Sequence, residues 1–499
     1  MEAVQGVLYG FQVALQPINL LYCLLGVTIG TLVGVLPGIG VSATIAILLP
    51  STYHIPPASA IIALAGIYYG AQYGGSTTSI LVNIPGEVAS VITCLDGYTM
   101  ARKGRAGPAL GMAAFGSFIA GTLSVVGLSF MAPALVKVAL QFGPPEYFAL
   151  MALGITILTY LAHGSMVKAL MMATLGLVCG TVGTDTITGN SRFTYGIPSL
   201  ADGLGLIPAI MGLFGVAEVL YNLEQAPEKR EIFIAHIKGL LPNWEDWKMS
   251  IGPILRGSVL GFFLGIIPGG TAAMASLASY GIEKKLSKHP ERFGTGTIEG
   301  VAGPESANNA ASGGCFIPLL TLGIPSNAVM AILLGALMIY GLQPGPFLMQ
   351  KAPDVFWGTI VSMYIGNIML LVLNIPLIGL WIKILKIPYA ILFPLIILFC
   401  IIGSYSLGNN VADGIIMLGF GILGYLMKKF DYEAAPLLMA MVLGPMMEAA
   451  LRQSLILSRG SFGIFFSRPI SACLLLVAIS LQILPLFTKR KMVSQLEKD

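Results

Sequence analysis

Apolar stretches long enough to cross a lipid bilayer recur along the whole of this chain, and charged side chains are rare between them. Of its 499 residues, 56% are hydrophobic and 10% are charged, whereas about 25% of the residues of an average soluble protein are charged. So few charged side chains cannot cover the surface of soluble domains of this total length. Because a membrane helix needs roughly 20 apolar residues, the sequence predicts an all-α polytopic membrane protein of about 12 transmembrane helices. The apolar stretches lie at 20–50, 58–84, 107–135, 147–163, 165–183, 204–222, 250–282, 308–342, 355–381, 387–403, 413–427, 434–450 and 470–488.

The charge, cysteine and histidine patterns exclude several kinds of partner and site. The net charge is only +4, and no continuous basic stripe of the kind that binds nucleic acid is present. The six cysteines stand singly in apolar stretches, which is typical of small buried residues rather than of a metal site. The four histidines are isolated from one another. We therefore expect a lipid bilayer around the chain, no nucleic-acid partner, no metal and no cofactor other than a coupling cation.

Several apolar stretches are too long for one crossing and contain a Pro-Gly sequence. Proline and glycine end a helix at residues 37–40 and again at 268–271, inside the predicted membrane zone. Backbone groups freed within a bilayer cost several kcal/mol unless they find partners. The sequence therefore predicts broken or re-entrant helices at these two places.

The two Pro-Gly sequences belong to a longer internal repeat. The glycine ladder Gly26, Gly30 and Gly34, followed by Pro37-Gly38, matches a ladder 231 residues later that ends at Pro268-Gly269. Ladders of this spacing predict close helix packing. Further matches downstream drift to offsets of 238–240. The pattern predicts a first membrane repeat at 1–222, a polar central linker at 223–249 and a second membrane repeat at 250–499.

The distribution of basic residues predicts that the two repeats have inverted topology. The segment after the first Pro-Gly sequence, 51–57, has no Lys or Arg, whereas its counterpart carries Lys284, Lys285, Lys288 and Arg292. At the next corresponding loops this asymmetry reverses. Since basic loops stay cytoplasmic, inverted-topology repeats follow, as in many secondary transporters. Arg452, Arg459 and Arg468 do not fit this scheme.

Small polar residues gather at the predicted helix breaks of both halves and form the predicted substrate site. Half-helix N-termini suit carboxylates, whereas exposed carbonyls suit Na⁺. Predicted backbone donors are Gly38, Gly40, Gly269 and Gly270, and predicted side-chain groups are Ser76, Thr77, Asn83, Asn308, Asn309, Ser326 and Asn327. Glu305, a carboxylate inside the membrane, is the predicted ion-coupling residue, as a proton carrier or a cation ligand. The alternative for each polar residue is an interhelical hydrogen bond.

The chain resembles a known family, the large TctA membrane subunit of tripartite tricarboxylate transporters, through several specific blocks. These are GVLPGIG at 34–40, YGAQYGGS at 69–76, GIIPGG at 265–270, GPESANNAASGG at 303–314 and PLLTLGIP at 318–325. The resemblance implies a multi-pass protein of the bacterial inner membrane. It implies as partners a small TctB-like membrane subunit, a periplasmic TctC-like solute-binding protein and a carboxylate substrate.

The resulting prediction is ion-gradient-driven uptake of a tricarboxylate or related organic acid, with H⁺ or Na⁺ as the coupling cation. In agreement, no G-x-x-x-x-G-K-[ST] nucleotide-binding loop occurs in the sequence. An anion channel and a carboxylate transporter that acts without a binding protein are the alternatives, because the same broken helices can line a pore. An intramembrane enzyme is not expected, since no nucleophile, base and orienting group are grouped in the sequence.

Overall fold

The described part of the chain is almost entirely helical, which confirms the predicted all-α polytopic fold. The computed structural model describes residues 3–36, 38–161, 165–185, 187–224, 239–384 and 389–496. Pro37 and residues 225–238 of the predicted linker lie outside these ranges. One short antiparallel pair of strands, β1 Gly183–Thr184 and β2 Ser191–Arg192, interrupts the helices.

The helices follow one another through short connections. They are α1 Ala3–Ala14, α2 Pro17–Val35, α3 Val41–Leu48, α4 Pro57–Val82, α5 Thr99–Arg102, α6 Ala106–Ala139, α7 Pro144–Leu161, α8 Met166–Gly180, α9 Leu206–Ile210, α10 Ala217–Glu224, α11 Trp244–Ile266, α12 Ala272–Leu286, α13 Glu299–Gly314, α14 Phe316–Leu322, α15 Ala328–Ile339, α16 Leu348–Lys351, α17 Pro353–Asn374, α18 Ile378–Ile384, α19 Tyr389–Gly408, α20 Val411–Lys429, α21 Ala434–Leu457, α22 Ile464–Ser467 and α23 Pro469–Leu496. Short 3-10 turns lie at Leu49–Thr52, Val88–Ser90, Pro198–Leu200 and Pro290–Arg292, and π-helical turns at Cys94–Tyr98 and Met211–Val216.

Seven helices in the described ranges are long and apolar enough to cross a membrane. They are α2, α6, the continuous run Leu206–Glu224, α11, α17, α20 and α21. Five shorter apolar helices accompany them, at Val41–Thr52, Met166–Gly180, Ala328–Ile339, Leu392–Ser406 and Pro469–Ile483. The chain is therefore a multi-pass membrane protein.

Two polar helices, α4 and α13, lie at the centre of the molecule. Residues 58–81 of α4 and residues 300–314 of α13 are all buried. Helix α4 packs against α2 and α17, and α13 packs against α11, α12 and α6. Because other helices cover them, α4 and α13 can carry serine, threonine and asparagine without exposing these groups to lipid.

Both glycine ladders pack directly against a central helix. A Cβ added at Gly30 would stand 2.4 Å from the carbonyl oxygen of Ile67 in α4. One added at Gly261 would stand 2.0 Å from the carbonyl oxygen of Ala307 in α13. The other glycines of each ladder meet the same central helix in the same way. The ladders therefore allow close backbone contact, as their spacing predicts.

The predicted helix breaks are present in both halves. Helix α2 ends at Val35 and α3 begins at Val41, while α11 ends at Ile266 and α12 begins at Ala272. Gly40 and Gly269 have φ angles of +72° and +82°, a region that side chains with a Cβ rarely adopt. A further break separates α14 from α15 at residues 323–327. The chain thus leaves the helical conformation where Pro-Gly and Gly-Ile-Pro occur in the sequence.

Helices of the first half of the chain pack against helices of the second half. Helix α21, late in the chain, packs against α7 and α8, whereas the Leu206–Glu224 run packs against α20 and α19. At the breaks themselves, α15 packs against α3, and α12 packs against the 3-10 turn Val88–Ser90, so the break regions lie where both halves of the chain meet.

Candidate functional site

A cavity of about 500 Å³ lies among the helix breaks and is lined by residues of both halves. We call it the junction cavity. Gly40, Gly269, Ser326 and Asn327 line it, so the breaks before α3, α12 and α15 open onto one space. A cavity of this size is ample for a small organic acid.

Four helix N-termini and the start of a short 3-10 turn converge on the junction cavity. Its lining includes the first residues of α3, α12, α15 and α21 and of the 3-10 turn Val88–Ser90. The N-terminus of a helix carries roughly half a positive charge and leaves its first amide N–H groups without partners inside the helix. Helix ends from both halves therefore direct partial positive charge and amide donors at this space, whose lining also includes Glu87, Glu218, Glu433 and Lys428.

The N-terminus of α3 has no side-chain cap. Its N-cap residue is Gly40, and a Cβ at Gly40 would meet no atom within 4 Å. By contrast, the Thr271 hydroxyl accepts a hydrogen bond from the Met274 N–H at 3.2 Å, and Asn327 Oδ1 accepts one from the Met330 N–H at 2.9 Å. Of these three helix ends, the start of α3 is the one where no side chain of the N-cap residue accepts a hydrogen bond from the amide groups.

The sequence predicts that the amide groups of Gly269 and Gly270 bind substrate, but both groups already donate hydrogen bonds within the protein. The Gly269 N–H donates to the Ser326 carbonyl oxygen at 2.7 Å, and the Gly270 N–H donates to the Ile267 carbonyl oxygen at 2.8 Å. The tight turn uses these donors itself and joins the second break to the third. Gly270 does not line the junction cavity, because it packs against the Leu264 carbonyl oxygen.

Gly38 does not line the junction cavity, but hydrogen bonds through Asn222 connect it to a residue that does. The Asn222 amide donates to the Gly38 carbonyl oxygen and to Glu218 Oε1, each at 3.1 Å. Glu218 in turn forms an ion pair with Lys428 of α20, and both charged side chains line the cavity. A basic group therefore stands at the wall, with its charge balanced by a neighbouring carboxylate.

Two buried polar atoms of residues at the cavity wall have no hydrogen-bond partner within the described ranges. They are Oε1 of Gln72 in α4 and the hydroxyl oxygen of Ser326. Nearby, the Asn327 amide donates to the Tyr68 hydroxyl at 3.2 Å. The Ser326 hydroxyl can donate a hydrogen bond to a carboxylate, whereas the Gln72 oxygen can only accept one.

Glu305 lies outside the junction cavity, in a fully buried network between the halves. Its carboxylate accepts hydrogen bonds from the Ser76 hydroxyl at 2.5 Å, from the Asn308 amide at 3.1 Å and from the Thr93 hydroxyl. The Asn309 amide donates to Asn308 Oδ1 at 2.6 Å. No Lys, Arg or His in the described ranges pairs with this carboxylate.

The structure therefore divides the residues that the sequence singled out. Gly40, Gly269, Ser326 and Asn327 come together at the junction cavity, whereas Ser76, Asn308 and Asn309 surround Glu305. Thr77 lines a separate small cavity, and Asn83 is exposed at the end of α4, in the left-handed conformation.

Sequence reasoning did not single out Gln72, Thr271 or Lys428 as site residues, although all three line the junction cavity. Gln72 carried a usable signal, because it is a lone amide in a helix that is otherwise made of small and apolar residues before Ser76.

Comparison with known proteins places this architecture in one family. The model of the "Tripartite tricarboxylate transporter TctA family" matches residues 20–439. The chain belongs to this family. This TctA-family chain is 52% identical over 486 residues to the "Uncharacterized 52.8 kDa protein in TAR-I ttuC' 3'region" of Agrobacterium vitis, an alignment that covers 97% of each chain. It is 53% identical over 228 residues, 45% of this chain and 94% of the relative, to the "Uncharacterized protein in TAR-II ttuC' 3'region" of the same organism. No solved structure matches it.

Membership of the TctA family supports a permease role for this multi-pass protein in a tripartite tricarboxylate transporter. The geometry fits such a role, since a cavity ringed by helix N-termini is suited to hold an anion inside a membrane protein.

Proposed function

We propose that this protein is the large permease subunit of a binding-protein-dependent system that takes up a carboxylate across the bacterial inner membrane. The observation that carries the proposal is the convergence of helix N-termini from both halves on the junction cavity. A tricarboxylate or a related organic acid, bound there, would place its negative groups against different helix ends.

The junction cavity suits both capture and release. The amides at the start of α3 offer neutral donors, and the Lys428 charge is largely balanced by Glu218. A carboxylate would therefore be held by several weak interactions instead of one strong ion pair. Weak individual donors favour a substrate that has to leave on the other side of the membrane.

In the proposed mechanism, the substrate crosses the membrane by alternating access. The repeats at 1–222 and 250–499 have inverted topology and move relative to each other around the junction cavity, with 223–249 as the linker. A gradient of H⁺ or Na⁺ drives uptake, with Glu305 as the coupling residue. A small TctB-like membrane subunit accompanies the permease, and a periplasmic TctC-like protein delivers the substrate.

Two capping asparagines allow a matched test of the junction cavity. Asn327 caps α15 at the cavity, and Asn243 caps α11 away from it. Replacing either with alanine removes one helix cap, at a cost of about 1 kcal/mol. In proteoliposomes, we expect Asn327→Ala to raise the half-saturating concentration of labelled citrate about tenfold, the equivalent of about 1.4 kcal/mol. Asn243→Ala should leave it unchanged.

Equal effects of the two substitutions would show that the junction cavity does not bind the substrate.

The transport mode is tested with the unmodified protein in the same vesicles. Uptake should collapse when the H⁺ and Na⁺ gradients are both removed, whereas a single-channel current that persists without either gradient would refute gradient-driven transport.

A further inference from the structure

A second, much smaller cavity lies between α4, α6 and α17. Its volume is about 10 Å³, close to the space that one water-sized particle needs. Four of the side chains that line it carry oxygen at the end of a short stem: Ser76, Thr77, Ser117 and Asn374. Tyr73 also lines it, and one lone pair of Ser117 Oγ accepts a hydrogen bond from the Asn309 amide at 2.7 Å. We call it the oxygen cavity.

Asn374 brings an unsatisfied acceptor to this space. The residue is 5% exposed, and its amide N–H group donates to the Leu370 carbonyl oxygen at 2.9 Å. Its Oδ1 atom is buried and has no hydrogen-bond partner among the residues that the structure describes. A buried acceptor of this kind costs about 1–3 kcal/mol unless something occupies the space beside it.

The surroundings of the oxygen cavity favour a positive charge over a neutral water molecule. Asn374 is the last residue of α17, whose C-terminal end carries partial negative charge. The Ser76 hydroxyl donates at 2.5 Å to Glu305, a fully buried carboxylate for which the described ranges offer no basic partner. Burial of such a charge without a counter-charge is strongly unfavourable.

We propose that the oxygen cavity binds Na⁺, with Ser76 Oγ, Thr77 Oγ1, Ser117 Oγ and Asn374 Oδ1 as ligands. Glu305 supplies the counter-charge through the Ser76 hydroxyl. This hydroxyl donates its hydrogen bond to the carboxylate and keeps its lone pairs open to the ion. A divalent ion fits less well, because sites for Ca²⁺ and Mg²⁺ use carboxylate ligands directly. The inference rests on the proposed function in one respect, namely that it makes Na⁺ the coupling ion.

The oxygen cavity is connected to the junction cavity through one turn of α4. Ser76 Oγ lies 3.2 Å from the carbonyl oxygen of Gln72, and the Gln72 side chain lines the junction cavity. An ion that fixes Ser76 therefore acts on the helical turn that places Gln72 at the wall of the junction cavity.

Thermal unfolding of the purified protein in detergent, without any carboxylate, tests ion binding separately from transport. At constant ionic strength, replacing KCl with NaCl should raise the melting temperature. Ser117→Ala should raise the Na⁺ concentration for half of this effect about tenfold. Ser124→Ala is the matched control, because Ser124 lies on the same helix and donates to the Ala310 carbonyl oxygen at 2.8 Å. Asn374→Asp keeps the ligand oxygen and adds charge, so it should preserve the Na⁺ response at lower concentrations.

Equal stabilisation by Na⁺ and K⁺, or equal effects of Ser117→Ala and Ser124→Ala, would overturn the Na⁺ site. The two proposals fail in different ways. Citrate uptake that follows an H⁺ gradient, together with no Na⁺-specific stabilisation, would refute the Na⁺ site and leave the transport function standing. Na⁺-specific stabilisation of a protein that moves no carboxylate in proteoliposomes would refute the transport function and leave the ion site standing.

Discussion

Replacing Glu305 with glutamine separates the charge of this side chain from its hydrogen bonds. One carboxylate oxygen accepts from Ser76 and Asn308, and the other accepts from Thr93. A glutamine carbonyl in the first position keeps two of the three donors. Its NH₂ group then faces the Thr93 hydroxyl, which can rotate to accept a hydrogen bond. The structural cost is therefore about 1 kcal/mol, and we expect the variant to fold and insert.

The functional cost of the same substitution is much larger. At zero membrane potential, one coupling cation that moves down a tenfold concentration gradient supplies about 1.4 kcal/mol. Because about 1.4 kcal/mol corresponds to a factor of ten, this energy concentrates the substrate about tenfold. Without the Glu305 charge, the coupling cation loses its counter-charge. Glu305→Gln should therefore lose this concentrating factor and still exchange substrate across the membrane.

The measurement is the plateau of labelled citrate in proteoliposomes with the membrane potential held at zero and a tenfold inward cation gradient, together with counterflow at equal concentrations. Glu299→Gln is the control, since Glu299 stands in the first turn of the same helix, α13, and is not part of the Glu305 network. A Glu305→Gln plateau equal to that of the unmodified protein would refute the coupling role. Loss of both plateau and counterflow would indicate a damaged fold.

Three further substitutions test the packing and the charges. Gly261→Ala should cost about 1–3 kcal/mol in thermal unfolding through overpacking, because the added methyl would stand 2.0 Å from a carbonyl oxygen, whereas Gly281→Ala meets open space and should be neutral. Asp185→Asn should lower the melting temperature by the same amount at every pH from about 5 to 8. A backbone N–H and an arginine hold the pKa of Asp185 well below its usual range. The stability that the Asp185 carboxylate contributes is therefore complete above the unfolded-state pKa of about 3.9 and is lost only as the pH falls below that value. A difference in melting temperature that varies between about pH 5 and 8 would contradict this assignment. Lys428→Met should slow citrate uptake by leaving Glu218 unpaired at the cavity, and the added change Glu218→Gln should restore part of the rate.

The fold could be predicted from the sequence as far as its signals are local. The apolar stretch 107–135 became α6, Ala106–Ala139, and the Pro-Gly breaks fell where the sequence placed them. The pairing of α21 with α7 and α8 could not be predicted. All these helices are apolar on most sides, so hydropathy does not distinguish one partner from another.

The site could be predicted in part for the same reason. Gly40, Gly269, Ser326 and Asn327 lie at the breaks themselves, and a break can be recognised from neighbouring residues. Asn308 and Asn309 are of the same polar type, yet their amides satisfy groups around Glu305. Residue type alone cannot tell a ligand-binding amide from one that satisfies a buried neighbour; only the packing of the central helices does so.

The arrangement of the two cavities gives the proposed coupling a physical form. Gln72 at the junction cavity and Ser76 at the oxygen cavity are one turn apart on α4, a helix that is buried along its whole length. A buried helix in close contact with α2 cannot shift one turn without shifting the next. If an ion at Ser76 and a carboxylate in the junction cavity each favour one position of this helix, each must strengthen the binding of the other by the same factor. Reciprocal coupling of this kind requires no direct contact between the carboxylate and the ion, since the turn of α4 between them is shared by both sites.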